Sequence, residues 1–93
     1  MNYQLIISEK AESDLLESYL WYEFKRNGLG EEFVLTVEAA INVISRMPLA
    51  FPIRYKKMHG LPIRRFPYLI LYTVHLKVIK IMAVFHTSQA PNF

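Results

Sequence analysis

Residues 63–86 read IRRFPYLILYTVHLKVIKIMAVFH, and this stretch decides the fold. It holds two runs dense in Val, Ile, Leu and Tyr, Leu69 to Val74 and Val78 to Phe85. That composition suits central strands of a sheet. Only His75, Leu76 and Lys77 separate them, which is short enough for a hairpin turn although the glycine or Asn-Gly that such turns favour is missing. Ile63 to Phe66, just before Pro67, reads as a further short strand. On that reading the adjacent Arg64 and Arg65 point to opposite faces of the sheet, one of them the open face.

Moving outward, Leu49 to Pro62 is basic and carries prolines. It reads as a loop with a short edge strand near Ile53 to Lys56, since prolines argue against a central strand. Pro48 ends the helix ahead of it, because proline cannot continue a helical ladder. That helix opens at Gly30-Glu31-Glu32, with acids in its first turn, and Phe33, Val34, Val37, Ala40, Ile41 and Ile44 form its apolar face. An earlier helix runs from Glu9 to about Asn27. Ser8 is placed to cap it, Ala11, Leu15, Tyr19 and Tyr22 form its stripe, and Leu16 and Leu20 widen that stripe. Asn27-Gly28 stops it, and the short connection makes the two helices an antiparallel hairpin. Tyr3 to Ile7 suits a strand. The whole order, residues 1–93, is one α+β domain: an N-terminal strand, an antiparallel two-helix hairpin, then a mainly antiparallel β-meander.

Composition narrows the functional classes. The chain contains no cysteine, so disulfides and thiolate metal sites are excluded. His59, His75 and His86 are widely spaced with no acid near them in sequence, so no metal site is expected. No phosphate loop, serine elbow or dinucleotide motif occurs, and no cofactor is expected. The longest apolar runs fall far short of the ~20 residues of a membrane helix, and no leader pattern opens the chain. A cytoplasmic protein without a membrane role is the expectation.

The net charge of +3 conceals a division. All eight acidic residues lie between Glu9 and Glu38, where three basic residues oppose them, a local net charge of −5. The remaining eight basic residues all follow Ala39, with no acid among them. Either the halves neutralise one another in the fold, or the basic half meets an anionic partner such as nucleic acid or an acidic protein segment.

Four stretches taken in order resemble one family. These are SEKAESDLLES from Ser8, WYEFKRNGLGEEF over Trp21 to Phe33, IRRFPYLILYTV over Ile63 to Val74, and IKIMAVFHTSQAP over Ile79 to Pro91. Together they resemble the RelE/ParE superfamily of bacterial type II toxin–antitoxin systems. The resemblance implies a growth-inhibiting toxin neutralised by a cognate, acidic antitoxin in a hetero-oligomer, of the kind that serves plasmid stabilisation. It also implies one of two activities. Some members cleave messenger RNA at the ribosome without a metal; others poison DNA gyrase. The long helix hairpin is closer to the second group. A basic binding module that has lost activity is a third reading. Where many relatives carry an arginine and an acid after His-Thr-Ser, this chain has His86-Thr87-Ser88-Gln89-Ala90-Pro91, which removes one phosphate ligand.

Metal-free RNA cleavage needs a base, an acid and cations against the developing phosphorane charge. By analogy to the family, Arg65 and His86 are the catalytic candidates for a ribonuclease. Arg64, Arg65, Lys56, Lys57 and Arg54 are candidates for binding a phosphate or a target, and Tyr72 for stacking on a base. Each has a plainer role available. The arginines can pair with a helix carboxylate, His86 can bond a backbone carbonyl, the lysines can keep a loop solvated, and Tyr72 can belong to the core.

Overall fold

A computed structural model of the chain describes residues 2–88. Its elements are β1 (Gln4–Ile7), α1 (Glu9–Lys25), α2 (Leu29–Arg46), β2 (Ile53–Tyr55), β3 (Met58–Pro62), β4 (Tyr68–His75) and β5 (Val78–His86). The five strands form one sheet in the order β1-β5-β4-β3-β2. β1 runs parallel to β5 and every other pair is antiparallel. The α+β class and the succession of strand, helical hairpin and meander are therefore as expected. Among the described residues no helix is long and apolar enough to cross a membrane.

Two details of the meander differ. The segment 63–66 is not a strand, since residues 64–67 bend, and the strand beside β4 is Met58–Pro62 instead. Gly60 and Pro62 disguise that strand. Pro62 is tolerated because β2 spans only Ile53–Tyr55 and pairs no further than His59, so β3 is unpaired on its outer side by the time it reaches the proline. A Cβ at Gly60 would lie 2.6 Å from Arg54 Cδ, so any larger residue there must displace that side chain. Arg64 and Arg65 consequently do not alternate across a strand.

Both helices pack on one face of the sheet. Phe33, Val37 and Ile44 of α2 meet Ile70 and Tyr72 of β4 and Ile79 and Ile81 of β5, all within one buried cluster. Tyr22 extends it with an aromatic group, its ring centroid 5.2 Å from Phe33 and 5.0 Å from Phe66. Burial, then the neighbouring Tyr68, pushes the Tyr22 phenol above its ordinary pKa. Ala11 is buried under α1 as its stripe requires, but Leu16 and Leu20 do not widen that stripe. They lie on the opposite side of the helix, 59% and 56% exposed.

Candidate functional site

The open face of the sheet carries its own small apolar cluster: Met58, Leu71 and Ala83, with Tyr55, Leu69, Met82 and Phe85 packed on it. A β-bulge shapes it. Leu71 pairs with Ala83 while Tyr72 pairs with Ile81, so Met82 is an extra residue and both Met82 and Ala83 are turned to this face. Two groups from the start of the first helix serve the backbone that the bulge disturbs. The Ser8 hydroxyl donates to the Met82 carbonyl at 3.1 Å, and Asp14 Oδ2 accepts the Val84 N–H at 3.1 Å. Ser8 also caps α1 by accepting the Ala11 N–H at 3.0 Å, so one residue fixes the helix start and the bulge together.

The result is a groove of about 570 Å³ with Met58 and Met82 as its apolar floor and Lys10, Lys56 and Lys57 around it. Lys56 and Lys57 form the turn between β2 and β3, Lys56 with a left-handed φ of 53°. Arg54 lies across the same hairpin, its Nε donating to the Gly60 carbonyl at 3.2 Å. Three of the cationic candidates thus gather on the open face, joined by Lys10, which sequence reasoning did not single out. On α1, Lys10 is bonded one turn on to Asp14 at 3.0 Å. Nothing in the sequence marks the bulge that brings Met82 beside it.

The other candidates lie elsewhere. Arg65 sits in the bend before β4 with φ 71°, over the Phe66 ring at 5.1 Å, and its guanidinium pairs with Glu32 of α2 at 2.9 Å. Arg26 approaches the same carboxylate at 3.7 Å. Arg64, beside it, is exposed. His86 opposes Tyr68 in the strand register, the rings 5.0 Å apart, on the helix side of the sheet. Its Nδ1 accepts the Ser88 N–H at 3.1 Å and lies 2.7 Å from the Ser88 hydroxyl. The cavity in front of it, about 410 Å³, is lined by Asp14, Glu17, Trp21 and Tyr68 among others. It is an acidic and aromatic surround, not a cationic one.

Tyr72 is not available for base stacking. It is fully buried, its hydroxyl donates to the Pro48 carbonyl at 2.7 Å, and its ring stacks on His59 at 5.1 Å. Burial pushes its pKa up to about 12. Among the described residues no group of three or more His, Cys, Asp or Glu is placed to hold a metal. Gln89 to Pro91, where the family's arginine is missing, lie outside the described residues.

The sequence matches the model of the ParE toxin of the type II toxin–antitoxin system parDE over residues 5–91. The chain belongs to the ParE toxin family. Its fold agrees with that expected of a ParE toxin. A solved structure titled as the chromosomal ParDE TA system from P. aeruginosa superposes with a TM-score of 0.81, over 90% of this chain and 95% of that one. The two sequences are 18% identical, so what they share is the fold. No curated protein is matched.

Proposed function

We propose that this ParE-family toxin stops growth by binding a protein target, DNA gyrase, and does not cut RNA. The observation that carries the reading is the scatter of the would-be ribonuclease groups. Arg65 is ion-paired with Glu32, His86 faces a cavity bearing Asp14 and Glu17, and Lys56 and Lys57 lie at the groove on the other face of the sheet. A phosphate brought to His86 would meet carboxylates where transition-state stabilisation demands cations. A protein-binding inhibitor needs no such constellation, only a surface. Purified toxin added to gyrase and relaxed plasmid should block supercoiling, while messenger RNA in a translating extract stays intact. Unimpaired supercoiling together with cleavage inside translated codons would reverse the assignment.

The neutralising partner fits the open face. An acidic antitoxin segment laid across it would bury Met58 and Met82 and set its carboxylates against Lys10, Lys56 and Lys57. Such binding weakens with salt only in part, because apolar burial persists when charge is screened. Titrating a cognate antitoxin against the toxin at rising ionic strength tests this. Affinity that vanishes in modest salt would leave no role for the methionine floor.

A further inference from the structure

The cavity of about 410 Å³ in front of His86 lies on the helix side of the sheet, away from the lysine groove. Two of its polar groups lack partners among the described residues. Asp14 is not one of them: Lys10 bonds it at 3.0 Å and the Val84 N–H donates to it at 3.1 Å. Glu17 is the first. Its carboxylate lines the cavity and has neither an ion pair nor a hydrogen bond among the described residues. Ser18 is the second, only 9% exposed and also in the lining. A hydroxyl residue in a helix commonly bonds back to a carbonyl of the preceding turn, as Thr36 does to Glu32 at 2.8 Å. The Ser18 hydroxyl makes no such bond among the described residues, and it is not sealed off, so it opens on the cavity. Trp21 and Tyr68 add aromatic walls.

We infer that this cavity is a receptor for a guanidinium group, the arginine side chain of a protein partner. A carboxylate without a counter-charge favours a cation, and Ser18 offers an acceptor beside it. A guanidinium has several N–H donors and no acceptor, the complement of that lining. Its plane stacks on aromatic faces, and it sheds water more readily than an ammonium does. The indole of Trp21 already draws one cation, Lys25 Nζ at 4.3 Å from the ring centroid. A flat ring has two faces, so that contact does not exhaust it. Among the described residues no lysine or arginine lines the cavity itself.

Two features choose a protein side chain over a free amine. Leu20 and Phe24, three and seven positions beyond Glu17, stand beside it on α1 and are 56% and 87% exposed. They make an apolar margin that only a larger partner covers, the surround in which an arginine anchor is strongest. Free arginine, moreover, brings an α-carboxylate that Glu17 and Asp14 would repel; within a polypeptide that group is an amide. An acidic segment suited to the lysine groove has the wrong sign for this cavity, so the arginine belongs to a different stretch of polypeptide.

Trp21 is the only tryptophan of the chain, so its fluorescence reports on this cavity. N-acetyl-arginine amide titrated into the full chain should change that emission saturably, half-complete at about 1–10 mM, as befits a single small group. N-acetyl-citrulline amide, nearly the same shape without the charge, should bind about tenfold more weakly, and free arginine should fall between them. Glu17→Gln, at an exposed position, should weaken binding about five- to tenfold with an unchanged circular dichroism spectrum, and Ser18→Ala about threefold. Glu12→Gln removes the same charge about 140° round the helix and should leave binding unchanged. Emission that never saturates, equal binding of the arginine and citrulline amides, or equal effects of Glu17→Gln and Glu12→Gln overturns the inference. Free arginine binding more tightly than the blocked form would assign the cavity to the amino acid and overturn the protein source.

Discussion

The buried Tyr72 hydroxyl donates to the Pro48 carbonyl at 2.7 Å, where the second helix gives way to the meander. Tyr72→Phe should cost about 1–3 kcal/mol in urea unfolding, the penalty of a buried carbonyl left without its partner, with toxin activity unchanged. The same side chain sets an alkaline limit. Its folded pKa of about 12 exceeds the ordinary 10.0, so the folded state keeps a proton that the unfolded state releases. That share of stability is complete below pH 10.0 and is lost as pH rises toward 12. Melting temperatures across that window should fall less steeply in Tyr72→Phe than in the wild type. Gly30 is the complementary case. A Cβ there would lie 2.5 Å from the Tyr19 carbonyl and 2.9 Å from Glu23 Oε1, which accepts the Gly30 N–H. Gly30→Ala gains about 1 kcal/mol of helix propensity but should lose more to this clash, a net destabilisation of roughly 1–2 kcal/mol by thermal unfolding. Tyr72 was legible as a core residue from its place in an apolar strand. Gly30 was legible only as a helix start, because contact between helices depends on a register that no local pattern states.

At the scale of elements, helices were easier to read than strands. Ser8, Asn27-Gly28 and Pro48 are local stops whose physics acts within a few residues, and both helix ends fall within about two residues of where they point. The third meander strand was misplaced because Gly60 and Pro62 carry a local veto that only long-range facts lift: the shortness of β2 and the side chain of Arg54 lying over Gly60. That error moved Arg65 from a strand face to a bend and hid its partner Glu32. The β4–β5 turn shows the reverse, a hairpin formed against local preference. Leu76 holds φ 55° and is 82% exposed, so its side chain contributes no packing to offset the left-handed backbone. Leu76→Asn or Leu76→Gly should raise stability by about 0.5–1 kcal/mol in chemical denaturation, with no effect on target or antitoxin binding.

For the whole molecule, the division of charge along the chain was legible, and the neutralising reading of it holds in part. The acidic helices answer part of the basic half, as Glu32 does for Arg65, while the β2–β3 hairpin carries its cations to the far face of the sheet, beyond the reach of α2. The candidate site was thus half visible: the lysines by composition, the methionine floor not at all, since it depends on a one-residue bulge. Reversing Lys56 and Lys57 to Glu, two exposed turn positions, should leave unfolding unchanged and weaken antitoxin binding by about tenfold or more. The loss should shrink as salt rises, and calorimetric titration at two ionic strengths would show it.

The parallel pairing of β1 with β5 joins residues 4–7 to residues 78–81, nearly the two ends of the described chain. The order of synthesis then delays the hazard. The strand made first waits, unpaired along an edge, until almost all the rest has left the ribosome. A nascent chain stalled before residue 78 has no β5 for the sheet to close on, and should remain open to proteolysis. The groove whose floor includes Met82 of β5 is likewise incomplete until that strand has been made.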